Sequence, residues 1–589
     1  MKENQRKMLE FAGSMFLSAI LFLIIYKFIP IVYSTNDDRM IAEIVSGQFT
    51  GKPESYGIQM TYGFTWFLSK LYEVTRSFNW YGIILIGVQV FSFGAVLYRI
   101  QSFSEKWFHK NILIIASIGV FLALWLKVYV QLTYTTTAAF VGMAAIFWYA
   151  SSKSDWKNIL MAVLLANIAF CIRPNIFYMF VPATGLVYLW KLIGKKDLKK
   201  LTIGAPFVIL AVTAVLFVIN AAAYSKEGWK EFREFFDVRT NVYDYYDLLS
   251  YEEYPELYEP YGISEEEFNM MRVYNYTVLG DLPKEFFPEY IEACKALEKE
   301  QGINFVSKSV DAVKIFIKDL FANTYGTENT VLFIAAAVLL ILCILLKHYS
   351  LAIYLWIQSV VICIVWLYFT YWGRAIERIQ VTMSLILLAV ILHIFYEMIE
   401  TSKNQKQELG DLIGENNEKH ISEISAKKSE FGKKIIFTVA GAGVAVVLCV
   451  CRVKNFNFYR HDNIAKAHWY DDVRKIKEYC ANDPDRLYYM DIATMTELYG
   501  NCTLKNNEPE YINYISLGDW TAYCPHYEEK LKNHGVEHVA KSITDENTYV
   551  IMLHNYQLKC MKEYLGVEEE WTETIFGAND VPYAVYQFQ

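Results

Sequence analysis

The sequence has no excess of basic residues: 55 Lys and Arg stand against 63 Asp and Glu, for a formal net charge of −8. Nothing in that balance calls for a nucleic-acid partner. It has no CxxC pair, so the common zinc-site spacings are absent. No internal repeat is present. No small-residue cleavage site follows the first apolar segment, where "STNDD" stands instead, so that segment is not a removed signal peptide. The stretch "VYDYYDLLSYEEYPELYEPYGISEEEF" has no Lys or Arg at all, yet it carries seven tyrosines and nine carboxylates.

What is present is apolar mass. Hydrophobic residues make up 54% of the chain, and they fall in blocks of about 17–25 residues, the length that spans a bilayer core. The blocks are 9–32, 80–98, 111–130, 135–150, 158–172, 175–193, 202–222, 330–346, 350–370, 379–397 and 435–451. The expected fold is therefore an α-helical polytopic membrane protein of about eleven transmembrane helices, with Arg173-Pro174 interrupting two of them. Basic residues stand at the N-terminus (Lys2, Arg6 and Lys7) and recur in alternate short loops (Arg99, Lys106 and Lys110; Lys153 and Lys157; Lys191, Lys195, Lys196, Lys199 and Lys200; Lys347), and 398–434 adds seven lysines. The positive-inside rule then puts the N-terminus in the cytoplasm and loops 34–79, 224–329 and the tail 452–589 outside the cell membrane.

Within this plan, residues 1–398 form the membrane domain with its exterior loops. Segment 399–434 is a charged cytoplasmic linker, 435–451 the last span, and 452–589 an exterior domain. In that tail "DDVRKIKEYC" and "NYQLKCMKEYLGV" read as helices, and "DRLYYMDIA", "NTYVIMLHN" and "VPYAVYQFQ" as strands, so a small C-terminal α/β domain is expected. Its four cysteines, Cys480, Cys502, Cys524 and Cys560, permit two disulfides, with reduced thiols as the alternative. Loop 224–329 is too long to lack structure, and "WKEFREFFDVRT" and "FPEYIEACKALEKEQG" look helical.

Two short places offer chemistry. The first is "YSTNDDRM", where Asp37 and Asp38 follow the first apolar block. Ser34, Thr35, Asn36 or Asp37 could cap a helix over about 38–46. Capping explains one acid better than a repelling pair. The second is "YWGRAIERIQV", where Arg374 and Arg378 are four apart. If helical, they share a face and present a double cation suited to phosphate. Arg173 is a third outward cation. Snorkelling to lipid head groups is the ordinary reading for each. Together, a carboxylate base and a cationic clamp suit transfer of a sugar from a polyprenyl phosphate. The leaving phosphate needs no general acid, whereas the acceptor hydroxyl needs a base.

These places resemble the GT-C superfamily of integral-membrane glycosyltransferases, which includes protein O-mannosyltransferases and aminoarabinose transferases. "NDD" resembles the acidic pair of their first exterior loop. "IAEIVSGQFTGKPES" and "YGFTWFLSKLYE" are similar to their paired helices along the membrane. "AFCIRPNIFYMFVP" resembles their Arg-Pro junction, and "TYWGRAIERIQV" the basic start of a late span. The resemblance implies a GT-C-like fold and an inverting transferase fed by a polyprenyl-phosphate sugar. Its acceptor would be an exterior glycan, lipid or protein. Asp37 or Asp38 would be the base, with Arg374, Arg378 and Arg173 on the donor phosphate. Gln59, Tyr62, Tyr245, Tyr246 and Tyr251 would line the acceptor side. No metal is required. Mg²⁺ or Mn²⁺ on the acid pair, with Asp244 or Asp247, is the alternative. Other functions consistent with the sequence are a polysaccharide polymerase or ligase, a lipid or glycan transporter, and a glycan-binding protein without activity.

Overall fold

The computed structural model describes residues 3–280, 285–321, 328–412, 441, 443, 456–468, 472–500, 502–504, 513–576 and 581–589. Ten of the eleven apolar blocks are helices: Glu3–Phe28, Trp80–Gln101, Trp107–Val130, Tyr134–Ser151, Trp156–Ile172, Pro174–Leu189, Lys200–Tyr224, Glu328–Leu345, Tyr349–Tyr371 and Glu377–Leu412. The eleventh block, 435–451, lies outside the described residues apart from 441 and 443. Seven described helices are long and apolar enough to cross a membrane, so the protein is a multi-pass membrane protein. Arg173, in extended conformation, closes one helix and opens the next, and Pro174 takes the first helical position, where its missing N–H costs nothing.

One expectation is corrected, and of the two cysteine states left open one is observed. The segment taken as a linker from 399 continues the preceding helix to Leu412. Its remainder, 413–434, lies outside the described residues. The tail cysteines Cys480, Cys502, Cys524 and Cys560 are free and buried. They pack as small apolar side chains and form no disulfide.

The chain divides into two compact units, residues 1–29, 85–215 and 311–461, and residues 30–84, 216–310 and 462–589. The first unit is a helix bundle centred on Tyr134–Ser151, every residue of which is buried. That helix packs on Trp156–Ile172, Pro174–Leu189 and Glu377–Leu412. Some of its buried polar groups pair across helices: Gln89 donates to the Val128 carbonyl (3.1 Å) and the Thr137 hydroxyl (2.8 Å), and Thr213 donates to Asn167 at 2.9 Å.

The second unit contains a five-stranded mixed sheet in the order 514–516, 487–490, 548–552, 582–588, 569–576. The first three strands are parallel and the last two form an antiparallel hairpin. The three expected strands are its centre. The two unanticipated ones are its edges. One is only three residues long, and the other, "EEWTETIF", carries three glutamates on an exposed strand, a charge pattern that blunts edge pairing. The expected helices at Trp229–Asn241, Phe286–Glu300 and Asn555–Leu565 are present. The last ends on Gly566 at φ 65°. The tyrosine-rich segment folds over a core of its own, built on Tyr258, Phe268, Met271, Phe286, Phe287 and Tyr290.

Candidate functional site

The acid pair opens the helix Asn36–Ser46, which stops at Gly47 with φ 89°. A side chain at Gly47 would meet the Lys52 backbone at 2.7 Å, so only glycine lets the chain turn back there. Thr35, one of the four candidates, is the N-cap residue, but its own side chain makes no capping hydrogen bond. The Thr35 hydroxyl instead donates to Asp38 Oδ2 at 2.8 Å, and the Tyr81 hydroxyl donates to Asp38 Oδ1 at 2.7 Å. Asp38 is fully buried. Asp37, one residue earlier, is half-buried, and its N–H donates to Asn36 Oδ1 at 3.1 Å. The two acids therefore have different surroundings: one is an internal hydrogen-bond acceptor tied at both oxygens, the other lies at the surface of the helix start.

One turn further along is a group that the sequence reading passed over. Arg39 and Glu43 are both buried and ion-paired at 3.0 Å, and Arg39 also donates to Gln48 at 2.8 Å. Lys477 pairs with the same carboxylate, and the Tyr499 hydroxyl donates to it. Tyr514 donates to it at 3.2 Å. Burial alone would push the Glu43 carboxyl up. The Lys477 and Arg39 charges outweigh burial and hold it at about 2. The four-residue spacing of Arg39 and Glu43 was the available signal. Nothing local marks Lys477, which is 434 residues away.

The acceptor-side candidates divide. Tyr62 starts the helix Tyr62–Val74, with its N–H on Asn220 Oδ1 at 2.8 Å and its ring 4.9 Å from Tyr56. Gln59 is half-buried, three residues before it. Tyr245 is exposed. Tyr246 and Tyr251 instead pack against the core of their own segment, Tyr251 stacking on Tyr258 at 5.4 Å. For these two the packing role is the one observed.

In the other unit, Arg173 stacks over the Tyr134 ring at 5.1 Å. Lys127 is ion-paired with Glu377. Since helices end at Val130 and Ile172 and begin at Tyr134 and Glu377, the antiparallel connections bring Arg173, Arg374 and Arg378 to one end of this bundle. The expected shared helical face is corrected. The helix begins at Glu377, so Arg374 sits in the preceding turn, after Gly373 at φ 68°, and only Arg378 is helical. Both arginines are half-buried.

Among the described residues, the group with metal-ligating spacing is Glu54, His526 and Glu529, not the acid pair. No protein-family model matches the chain, and no curated protein matches it. Among solved structures the chain is similar to ArnT from Cupriavidus metallidurans bound to undecaprenyl phosphate. The two share 10% identity and a TM-score of 0.45, over 98% of this chain and 97% of that one.

Proposed function

We propose that the protein is an integral-membrane glycosyltransferase of the GT-C kind, moving a sugar from a polyprenyl-phosphate donor to an exterior glycan, lipid or protein, with inversion. The observation that carries the reading is the unequal pair at the start of helix Asn36–Ser46. Asp38 has both oxygens engaged inside the fold, whereas Asp37 is half-buried at the helix start. A carboxylate set against an acceptor hydroxyl can take its proton as the bond to the sugar forms. Asp37 is thus the proposed base and Asp38 the residue that fixes the turn around it. Arg374, Arg378 and Arg173 are proposed to hold the donor phosphate as charge develops on it. Gln59, Tyr62 and Tyr245 remain the proposed acceptor contacts. The reaction needs no metal. The N-terminus is proposed to be cytoplasmic and the 452–589 domain exterior.

The test uses purified protein in nanodiscs, a panel of polyprenyl-phosphate sugars, and a cell-envelope extract as acceptor. A transferase releases polyprenyl phosphate and adds sugar mass to a component of the extract. Movement of intact lipid-linked sugar across vesicles, with no release from any donor, would make the protein a transporter and end this reading.

A further inference from the structure

We propose that Glu54, His526 and Glu529 form a divalent-metal site, with Zn²⁺ as the ion that fits. The inference is independent of the glycosyltransferase reading. His526 and Glu529 lie three apart in the helix Pro525–Asn533 and so share a face. Glu54 approaches from the loop after helix Asn36–Ser46, where its N–H bonds the Ile44 carbonyl at 3.1 Å and one of its carboxylate oxygens accepts from Thr50 at 3.2 Å. One ligand atom from each of the three residues lies within 4.8 Å of the others. Zn²⁺ held at its usual bond lengths separates its ligands by about 3.4 Å. Glu529 keeps 34% of its side chain exposed and can close that gap by a rotamer change.

A second observation points to a ligand. The His526 ring is 4% exposed, and its Nε2 has no hydrogen-bond partner. Its Nδ1 faces Glu54 Oε2 at 3.6 Å, too far for a good hydrogen bond. With the proton on Nδ1, the ring has the Tyr56 backbone to bond, but the buried Nε2 lone pair has no donor. With the proton on Nε2, the Nδ1 lone pair faces a carboxylate, a repulsive arrangement that a cation between them turns into coordination. The Trp229 ring packs against the imidazole, with the ring centroids 4.8 Å apart at an interplanar angle of 74°.

The place already attracts a cation. The Lys52 ammonium lies 2.6 Å from Glu529 and 3.6 Å from Glu54. Lys52 is 61% exposed, and an exposed ion pair of this kind is worth little, so the lysine is a displaceable competitor. One imidazole and two carboxylates are borderline to hard ligands that suit Zn²⁺, and three protein ligands leave a fourth position for water. The ion would tie the loop 47–54 to the 525–533 helix.

The experiment is Zn²⁺ binding to the full-length protein, stripped with chelator and dialysed. Metal content is measured by mass spectrometry and affinity by calorimetry. One Zn²⁺ per chain is expected. Glu529→Gln, at a partly exposed position that the fold tolerates, should weaken binding by about 100-fold. Lys52→Ala should tighten it several-fold by removing the competitor. Failure of both the unmodified protein and Lys52→Ala to take up Zn²⁺ overturns the proposal. Affinity unchanged from the unmodified protein in both Glu529→Gln and Glu54→Gln places any bound ion elsewhere and overturns it too.

Discussion

Two helices of this protein are almost equally buried and reach that state by opposite means. Tyr134–Ser151 is buried at all its residues with an apolar, small-residue and threonine sequence. Asn36–Ser46 is buried from Asp38 to Ser46, and three of those residues are charged. The first needs only shape and hydrophobic transfer. The second needs a partner for each charge: Thr35 and Tyr81 for Asp38, Gln48 and Glu43 for Arg39, Lys477 and Tyr499 for Glu43. A buried ion pair is seldom the most stable filling for its volume. Where a chain keeps one, specificity or chemistry is a better reason than stability, and here the network sits one turn from the acid proposed as the base.

Breaking each helix separates the two kinds of burial. Glu43→Ala should cost about 3–5 kcal/mol, because it leaves Arg39 and Lys477 buried without their carboxylate. Chemical denaturation at neutral pH measures it. Phe140→Ala, in the apolar helix, should cost a similar amount, about 3–5 kcal/mol, through the cavity it leaves. The two then part with pH. The folded Glu43 carboxyl titrates at about 2 against an ordinary value of 4.5. Its stabilisation is complete above pH 4.5 and is lost as pH falls toward 2. Over that interval the stability gap between the unmodified protein and Glu43→Ala should shrink, while the gap to Phe140→Ala should not share that loss.

Smaller effects follow at the proposed phosphate clamp. Arg374→Gln or Arg378→Gln should raise the donor KM about 10-fold, the value of one charged hydrogen bond, with little change in melting temperature. A change in kcat alone would assign these arginines to chemistry and not to holding the donor. Smallest of all, Tyr81→Phe removes one of the two hydroxyls on Asp38 and should cost about 1 kcal/mol.

The apolar helix was open to sequence reading because its evidence is local. Blocks of bilayer length located ten helices, although Glu3–Phe28 starts well before its block and Glu377–Leu412 runs well past its own, and Pro174 marked the break beside Arg173. Alternation and tyrosine content found the central strands of the sheet, whereas the two edge strands, short or acidic, carried no such pattern. The charged helix was legible only in part. Asp37 and Asp38 stood out by position, but which acid is tied down depends on Tyr81, 43 residues away. Lys477 and His526 gain their partners by tertiary contact alone. The shared face expected for Arg374 and Arg378 failed because Gly373 places the turn just before the helix starts, a boundary that spacing does not reveal.

The most direct test of the central claim compares Asp37→Asn with Asp38→Asn, following both sugar transfer and melting temperature. Asp37→Asn is expected to lose transfer by about 10²–10⁴-fold while melting as the unmodified protein does. Asp38→Asn is expected to melt lower, because the acceptor of the Thr35 hydroxyl and the buried Tyr81 hydroxyl is altered. Full transfer by Asp37→Asn, or loss of transfer by Asp38→Asn with unchanged melting, would reverse the two roles.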